Sequence, residues 1–159
     1  WAQGDQMAFD IELKAEQLQG EAWLENKQFS DAGQELWQLM LNDGIKGTLT
    51  YQVKHPSFDF TFEGKVPLAN HKYILAAGMK QASTGYDVDT YLGEGTSGAD
   101  GTISFSGEID LGKNLENVKV WLVPTENWTD SGMSWANWSG CVDNILWETG
   151  LIWYEDTDL

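Results

Sequence analysis

Residues 44–63 carry two stretches of strict alternation, and no other part of the chain narrows its fold so far. Ile45, Gly47, Leu49, Tyr51 and Val53 fall on one side of an extended backbone, and Lys46, Thr48, Thr50, Gln52 and Lys54 fall on the other. That is the period of two of a half-buried strand. Beyond His55 and Pro56 the pattern resumes, with Phe58, Phe60 and Phe62 opposite Ser57, Asp59, Thr61 and Glu63. The fixed φ and missing N–H of Pro56 suit a turn and not a central ladder, so the two stretches predict an antiparallel pair with one apolar and one wetted face. A second layer has to cover the apolar face.

The rest of the chain reads the same way. Phe9, Ile11, Leu13 and Ala15 alternate with charged residues and predict a strand over 9–15; a turn follows at 17–20. Strands are expected at 21–26 and 35–41, and Asn42-Asp43-Gly44 supplies a hairpin-type turn into the opening pair. A turn at 64–70 leads to an apolar strand at 73–77 and a polar loop at 78–88. Strands 90–96 and 102–111 flank Ser97-Gly98-Ala99-Asp100-Gly101, a strong hairpin signal, with Ile103, Phe105 and Ile109 as buried positions. An apolar strand at 118–123 ends at Pro124, a tryptophan-rich loop spans 125–143, and a last strand runs over 145–154. About nine or ten short strands, with Leu36, Trp37, Leu39 and Met40 alone also fitting a short helix, predict an all-β fold, an antiparallel β-sandwich of jelly-roll or Ig-like type. Residues 1–15 stand apart as an N-terminal strand segment, a candidate donor strand for a neighbouring sheet, ahead of a sandwich domain at 16–159.

Charge bounds the partners. Acidic residues number 25 against nine basic ones, all lysine, for a net charge of −16. Nucleic-acid backbones and anionic membrane surfaces need clustered positive charge, so neither is an expected partner. Cations and neutral polar molecules fit better. No apolar run approaches the ~20 residues that cross a bilayer as a helix, so membrane insertion is not expected. With Cys141 alone, neither an intramolecular disulfide nor a cysteine zinc site can form. A chain that begins at Trp1 suits a mature secreted protein, and two glycosylation sequons, at Asn127 and Asn137, fit an extracellular or cell-surface location.

Several strings carry a resemblance: Asp43-Gly44-Ile45-Lys46-Gly47-Thr48-Leu49, Phe58-Asp59-Phe60-Thr61-Phe62-Glu63-Gly64, Ser106-Gly107-Glu108-Ile109-Asp110-Leu111-Gly112, Lys119-Val120-Trp121-Leu122-Val123, and Ile145-Leu146-Trp147-Glu148 running on to Asp156. In order and spacing they resemble a β-sandwich domain family of secreted proteins from methanogenic and related archaea, of uncharacterised function. The resemblance implies fold and export, and no activity. Where that family often carries a Tyr-Tyr and aspartate-proline loop, this chain has Ala76-Ala77-Gly78-Met79-Lys80.

Motifs for catalysis are missing. No Gly-x-Ser-x-Gly and no phosphate-cradling glycine loop occurs, His55 and His71 each sit beside a predicted turn, and no local pattern ties either to Cys141. The chain is not expected to be an enzyme or to require a cofactor. Calcium is the one ion its residues suggest. Asp87 and Asp89 lie two apart on an extended segment, Asp100 and Asp110 flank the following strand, and Glu155, Asp156 and Asp158 form a second acidic cluster.

Nine tryptophans in 159 residues are the strongest anomaly. Trp121 and Trp147 lie in predicted strands and are expected in the core. Trp128, Trp135 and Trp138, with Trp1 and Phe9 in the N-terminal segment, are candidates for a subunit interface or for stacking on glycans. Two functions follow as expectations: a structural subunit of an extracellular self-assembling filament, sheath or surface layer, partnered by its own kind; or a carbohydrate-binding, lectin-like module with an exposed tryptophan face.

Overall fold

In a computed structural model the alternating residues of the opening stretch become adjacent strands. The structure describes residues 18–28, 38–78, 80–81, 85–86, 89–129, 132–134 and 142–159. The strands are β1 (Gln19–Gln28), β2 (Gln38–Leu39), β3 (Lys46–Gln52), β4 (Lys54–His55), β5 (Phe58–Lys65), β6 (Lys72–Gly78), β7 (Lys80–Gln81) and β8 (Gly85–Tyr86), followed by β9 (Thr90–Thr96), β10 (Thr102–Ile109), β11 (Leu115–Pro124), β12 (Trp128–Thr129), β13 (Gly132–Met133), β14 (Leu146–Glu148) and β15 (Ile152–Asp156). Two single 3-10 turns, Thr125–Asn127 and Val142–Asn144, are the only helical elements among the described residues. The chain is all-β.

β3 and β5 pair antiparallel with Leu49 opposite Phe62 and Tyr51 opposite Phe60. All four side chains are buried, as are Phe58 and Leu24. The sheet continues in the order β10-β5-β3-β1-β14-β11. β11 is long enough to serve three strands: β6 along residues 119–124, β14 at Leu122, and β15 along residues 115–118. β9 completes the far side by pairing with β6. All these pairings are antiparallel; the exception is the short parallel contact of β15 with β4.

The strands that a sandwich would divide between two sheets belong here to one continuous hydrogen-bonded sheet of eleven strands. It turns back on itself, because β1, β3, β5, β6, β9, β10, β11, β14 and β15 all send side chains into a single buried cluster. Glycines permit the close approach. A Cβ on Gly93 would lie 2.6 Å from Phe60 Cζ, and one on Gly95 would enter the Phe105 ring. Hence β9 lies directly on aromatic side chains of β5 and β10.

A second buried cluster occupies the outer face of β6, β11 and β14: Ile74, Ala76, Trp121, Val123, Ile145 and Trp147, covered by Met133 and Val142 of the 125–145 segment. β6 and β11 are therefore buried on both faces, which is why they read as continuous apolar runs and not as alternations. Trp121 and Trp147 pack edge to face at 4.6 Å, both in the core as expected.

Three local expectations are corrected. Gln19 and Gly20, expected in a turn, open β1 and pair with Gln52 and Tyr51. The strands flanking the 97–101 turn do not form a ladder with each other. β9 goes to β6 and β10 to β5, so the turn is a corner joining the two ends of the sheet. The single last strand is two: β14 runs along β1, its ladder extended by Thr149 N–H donating to Trp23 O at 2.9 Å, and β15 resumes against β11. The expected strand at 9–15 lies outside the described residues.

Candidate functional site

The expected calcium set does not assemble. Asp89 is exposed, its Oδ1 accepting a 3.0 Å bond from the neighbouring Thr90 hydroxyl. Asp100 turns the 97–101 corner, where its Oδ1 accepts from the Thr102 hydroxyl at 2.6 Å and the Thr102 N–H at 3.0 Å. Those two bonds, the hydroxyl's first, hold its carboxyl below the usual range. Asp110 lies beyond the other end of β10. Eight strand residues separate it from Asp100, on the order of 25 Å at ~3.3 Å per residue. One ion cannot reach both. Asp87 lies outside the described residues.

Asp110 instead meets the second acidic group. Carboxylate oxygens of Asp110, Asp156 and Asp158 all lie within 4.8 Å of one another. The turn after β10 presents the first: Asp110 Oδ1 accepts from Gly112 N–H at 2.9 Å, and Gly112 adopts φ +57°. The same turn hooks onto the last strand, since Asn114 Oδ1 accepts from Asp156 N–H at 2.8 Å. Asp156 points inward because it continues the buried alternation of Ile152 and Tyr154. It is 5% exposed. Its Oδ1 accepts from Asp158 N–H at 3.3 Å, while its Oδ2 is buried without a hydrogen-bond partner. A hydrogen bond to Asp156 holds the Asp158 carboxyl above the usual range, with lesser contributions from desolvation and the charges of Asp156 and Asp110. Burial, and then the same three carboxylates, push the Tyr154 hydroxyl up to about 12. Glu155, expected in this group, faces away and pairs with Lys54 at 2.5 Å.

The histidines are engaged separately. His71 Nε2 lies 2.8 Å from Glu126 Oε2. His55 Nδ1 lies 3.2 Å from Ser57 Oγ, whose hydroxyl donates to Glu108 Oε1 at 2.7 Å. The carboxylate here holds the serine and not the imidazole, which is the wrong order for an activated nucleophile. Cys141 lies outside the described residues.

The tryptophans divide unexpectedly. Trp128 is half-buried against the outer cluster and tilts toward Tyr91 at 6.5 Å. Asn127 is 5% exposed, in a 3-10 turn. Asn137, Trp1, Phe9, Trp135 and Trp138 lie outside the described residues. The exposed aromatic surface belongs to other residues. Trp23 on β1 is 55% exposed, Leu151 53% and Trp153 on β15 47%. Trp23 and Leu151 line one shallow depression with Glu21 and Thr149. Trp23 also borders a second depression with Glu25, Lys46 and Thr48. The missed signal was alternation: Ala22 and Leu24 point in, so Trp23 must point out, and Trp153 stands likewise between Ile152 and Tyr154.

No family model, curated protein or solved structure matches the chain. Among the described residues no helix is long and apolar enough to cross a membrane.

Proposed function

We propose that the chain is a structural subunit of an extracellular self-assembling filament, sheath or surface layer. The observation that carries this reading is the outward display of Trp23 on β1 beside Leu151, with Glu21, Glu25 and Lys46 lining the depressions that Trp23 borders, and of a further exposed tryptophan, Trp153, on β15. Tryptophan is an over-represented interface anchor, and a polar rim around an apolar centre is the anatomy of a specific contact. The sheet also ends at β9 and β10, each with one ladder partner among the described residues. Open edges of this kind accept a donated strand, the role expected of residues 1–15. The test is light scattering with electron microscopy on the full chain, on Trp23→Ala with Trp153→Ala, and on a chain lacking residues 1–9. Concentration-dependent assembly that either change abolishes supports the reading. A wild-type chain that stays monomeric at every concentration, with and without calcium, overturns it.

A second reading rests on the same tryptophan. Trp23 offers an aromatic plane between two shallow depressions edged by carboxylate, amine and hydroxyl groups, the mixture that binds a sugar ring. Saturable fluorescence quenching by oligosaccharides, lost in Trp23→Ala, would favour this lectin-like role; unchanged fluorescence would count against it.

A further inference from the structure

Three carboxylates converge where the 110–114 turn meets the end of β15, and no cation answers them. Among the described residues no lysine or histidine lies within ion-pair distance of Asp110, Asp156 or Asp158. Two lysines that adjoin the cluster are committed elsewhere: Lys113, close to Asp110 in sequence, donates from Nζ to Thr90 Oγ1 at 2.9 Å, and Lys54, opposite Glu155 on β4, pairs with that residue. Asp156 is the independent pointer to a ligand. Its side chain is 95% enclosed, contributes an oxygen to the cluster, and has Oδ2 buried with no hydrogen-bond partner. An ionised carboxylate in that position, beside two others, is costly unless a positive charge sits among them.

We propose that Asp110, Asp156 and Asp158 bind one calcium ion. The donor set is oxygen alone, which selects a hard cation over zinc or copper. Their oxygens lie close enough to share one ion, all within 4.8 Å of one another. Calcium accepts an irregular shell of six to eight oxygens, whereas magnesium demands a near-ideal octahedron and keeps its waters, so carboxylates drawn from two separate chain segments suit the larger ion. Second carboxylate oxygens, backbone carbonyls and water complete its shell. The ion clips the turn after β10 to the end of β15, beside the existing Asn114–Asp156 bond. This inference does not rest on the assembly reading, since it concerns the folding of a single chain.

The test is calorimetric titration of the chelator-treated full chain with calcium chloride, paired with thermal unfolding. One ion per chain is expected, with a dissociation constant of about 10⁻⁴–10⁻³ M, as for extracellular calcium modules. At a tenfold excess over that constant the melting temperature should rise by about 3–5 °C. Asp110→Asn and Asp158→Asn, both at exposed positions, should fold and lose about tenfold or more in affinity; Asp89→Asn and Asp100→Asn should bind as wild type does. Asp156→Asn adds to the series if it folds. An absence of saturable binding overturns the proposal, as does equal weakening by Asp89→Asn. Stabilisation on mild acidification with no calcium effect also overturns it, and would assign the cluster to a shared proton.

Discussion

The Phe60 ring of β5 lies against the backbone of Gly93 in β9, so that a Cβ at 93 would come within 2.6 Å of Cζ. This contact packs β9, at one end of the rolled sheet, onto β5, the neighbour of β10 at the other. Gly93→Ala should cost about 1–3 kcal/mol by overpacking. Phe60→Leu in the same chain should recover part of that loss, a non-additivity that urea unfolding of the two single variants and the double variant would measure. Strict additivity would mean that the ring and the glycine do not meet.

Two tryptophans should respond oppositely to truncation. Trp147 is buried in one cluster with Met133 and Val142, and Trp147→Ala should cost about 3–5 kcal/mol. Trp23→Ala removes an outward side chain and should change stability by no more than about 0.5 kcal/mol. Chemical denaturation of both variants checks the pair; a large loss at Trp23 would place it in the core.

Glu148 ties three side chains together on the outer face. It pairs with Lys119 at 2.7 Å and accepts a short bond from the Trp121 indole N–H. It also favours the charged form of Lys27, whose ammonium lies 5.3 Å from the centre of the Trp147 ring and whose pKa burial lowers. Glu148→Ala should therefore cost about 2–4 kcal/mol, more than an exposed ion pair such as Lys54–Glu155, which should be worth less than about 1 kcal/mol. Comparing Glu148→Ala with Glu155→Ala by thermal unfolding tests the ranking.

Burial pushes the Tyr73 hydroxyl from 10.0 up to about 12, against the opposing bond from Leu68 N–H. The folded chain thus holds this proton more tightly than the unfolded chain does. The associated stability, roughly 2 kcal/mol, is fully present below pH 10 and is lost as pH rises through 12. Phenolate absorbance should show Tyr73 among the last tyrosines to ionise. Tyr73→Phe should flatten the alkaline limb of the stability profile, and an unchanged limb would refute the assignment.

Much of the strand content was legible and little of the topology was. β3 and β5 announced themselves because each buries one face, and β6 and β11 because each buries two. Partner choice was hidden, since it depends on edges far apart in sequence. The turn around Gly101 looks like a hairpin, yet it separates β9 and β10 onto opposite ends of the sheet. The acidic cluster was half legible. Asp156 and Asp158 are neighbours in the chain, but grouping Asp110 with Asp100 ignored the length of the strand between them. The inward direction of Asp156 was readable from the spacing of Ile152 and Tyr154, and it is the burial of that residue that separates this cluster from the many solvated acids.

The place of β14 between β1 and β11 carries a kinetic consequence. On the ribosome β14 emerges only after all of β2 to β13, so β1 must wait with one edge unmatched while those strands are made. β4 waits almost as long for β15, the Lys54–Glu155 bond spanning 101 residues. Non-local closures of this kind place refolding on the millisecond-to-second scale, which stopped-flow fluorescence of Trp147 would time. They also make the nascent chain, more than the finished one, the form that needs protection from its neighbours.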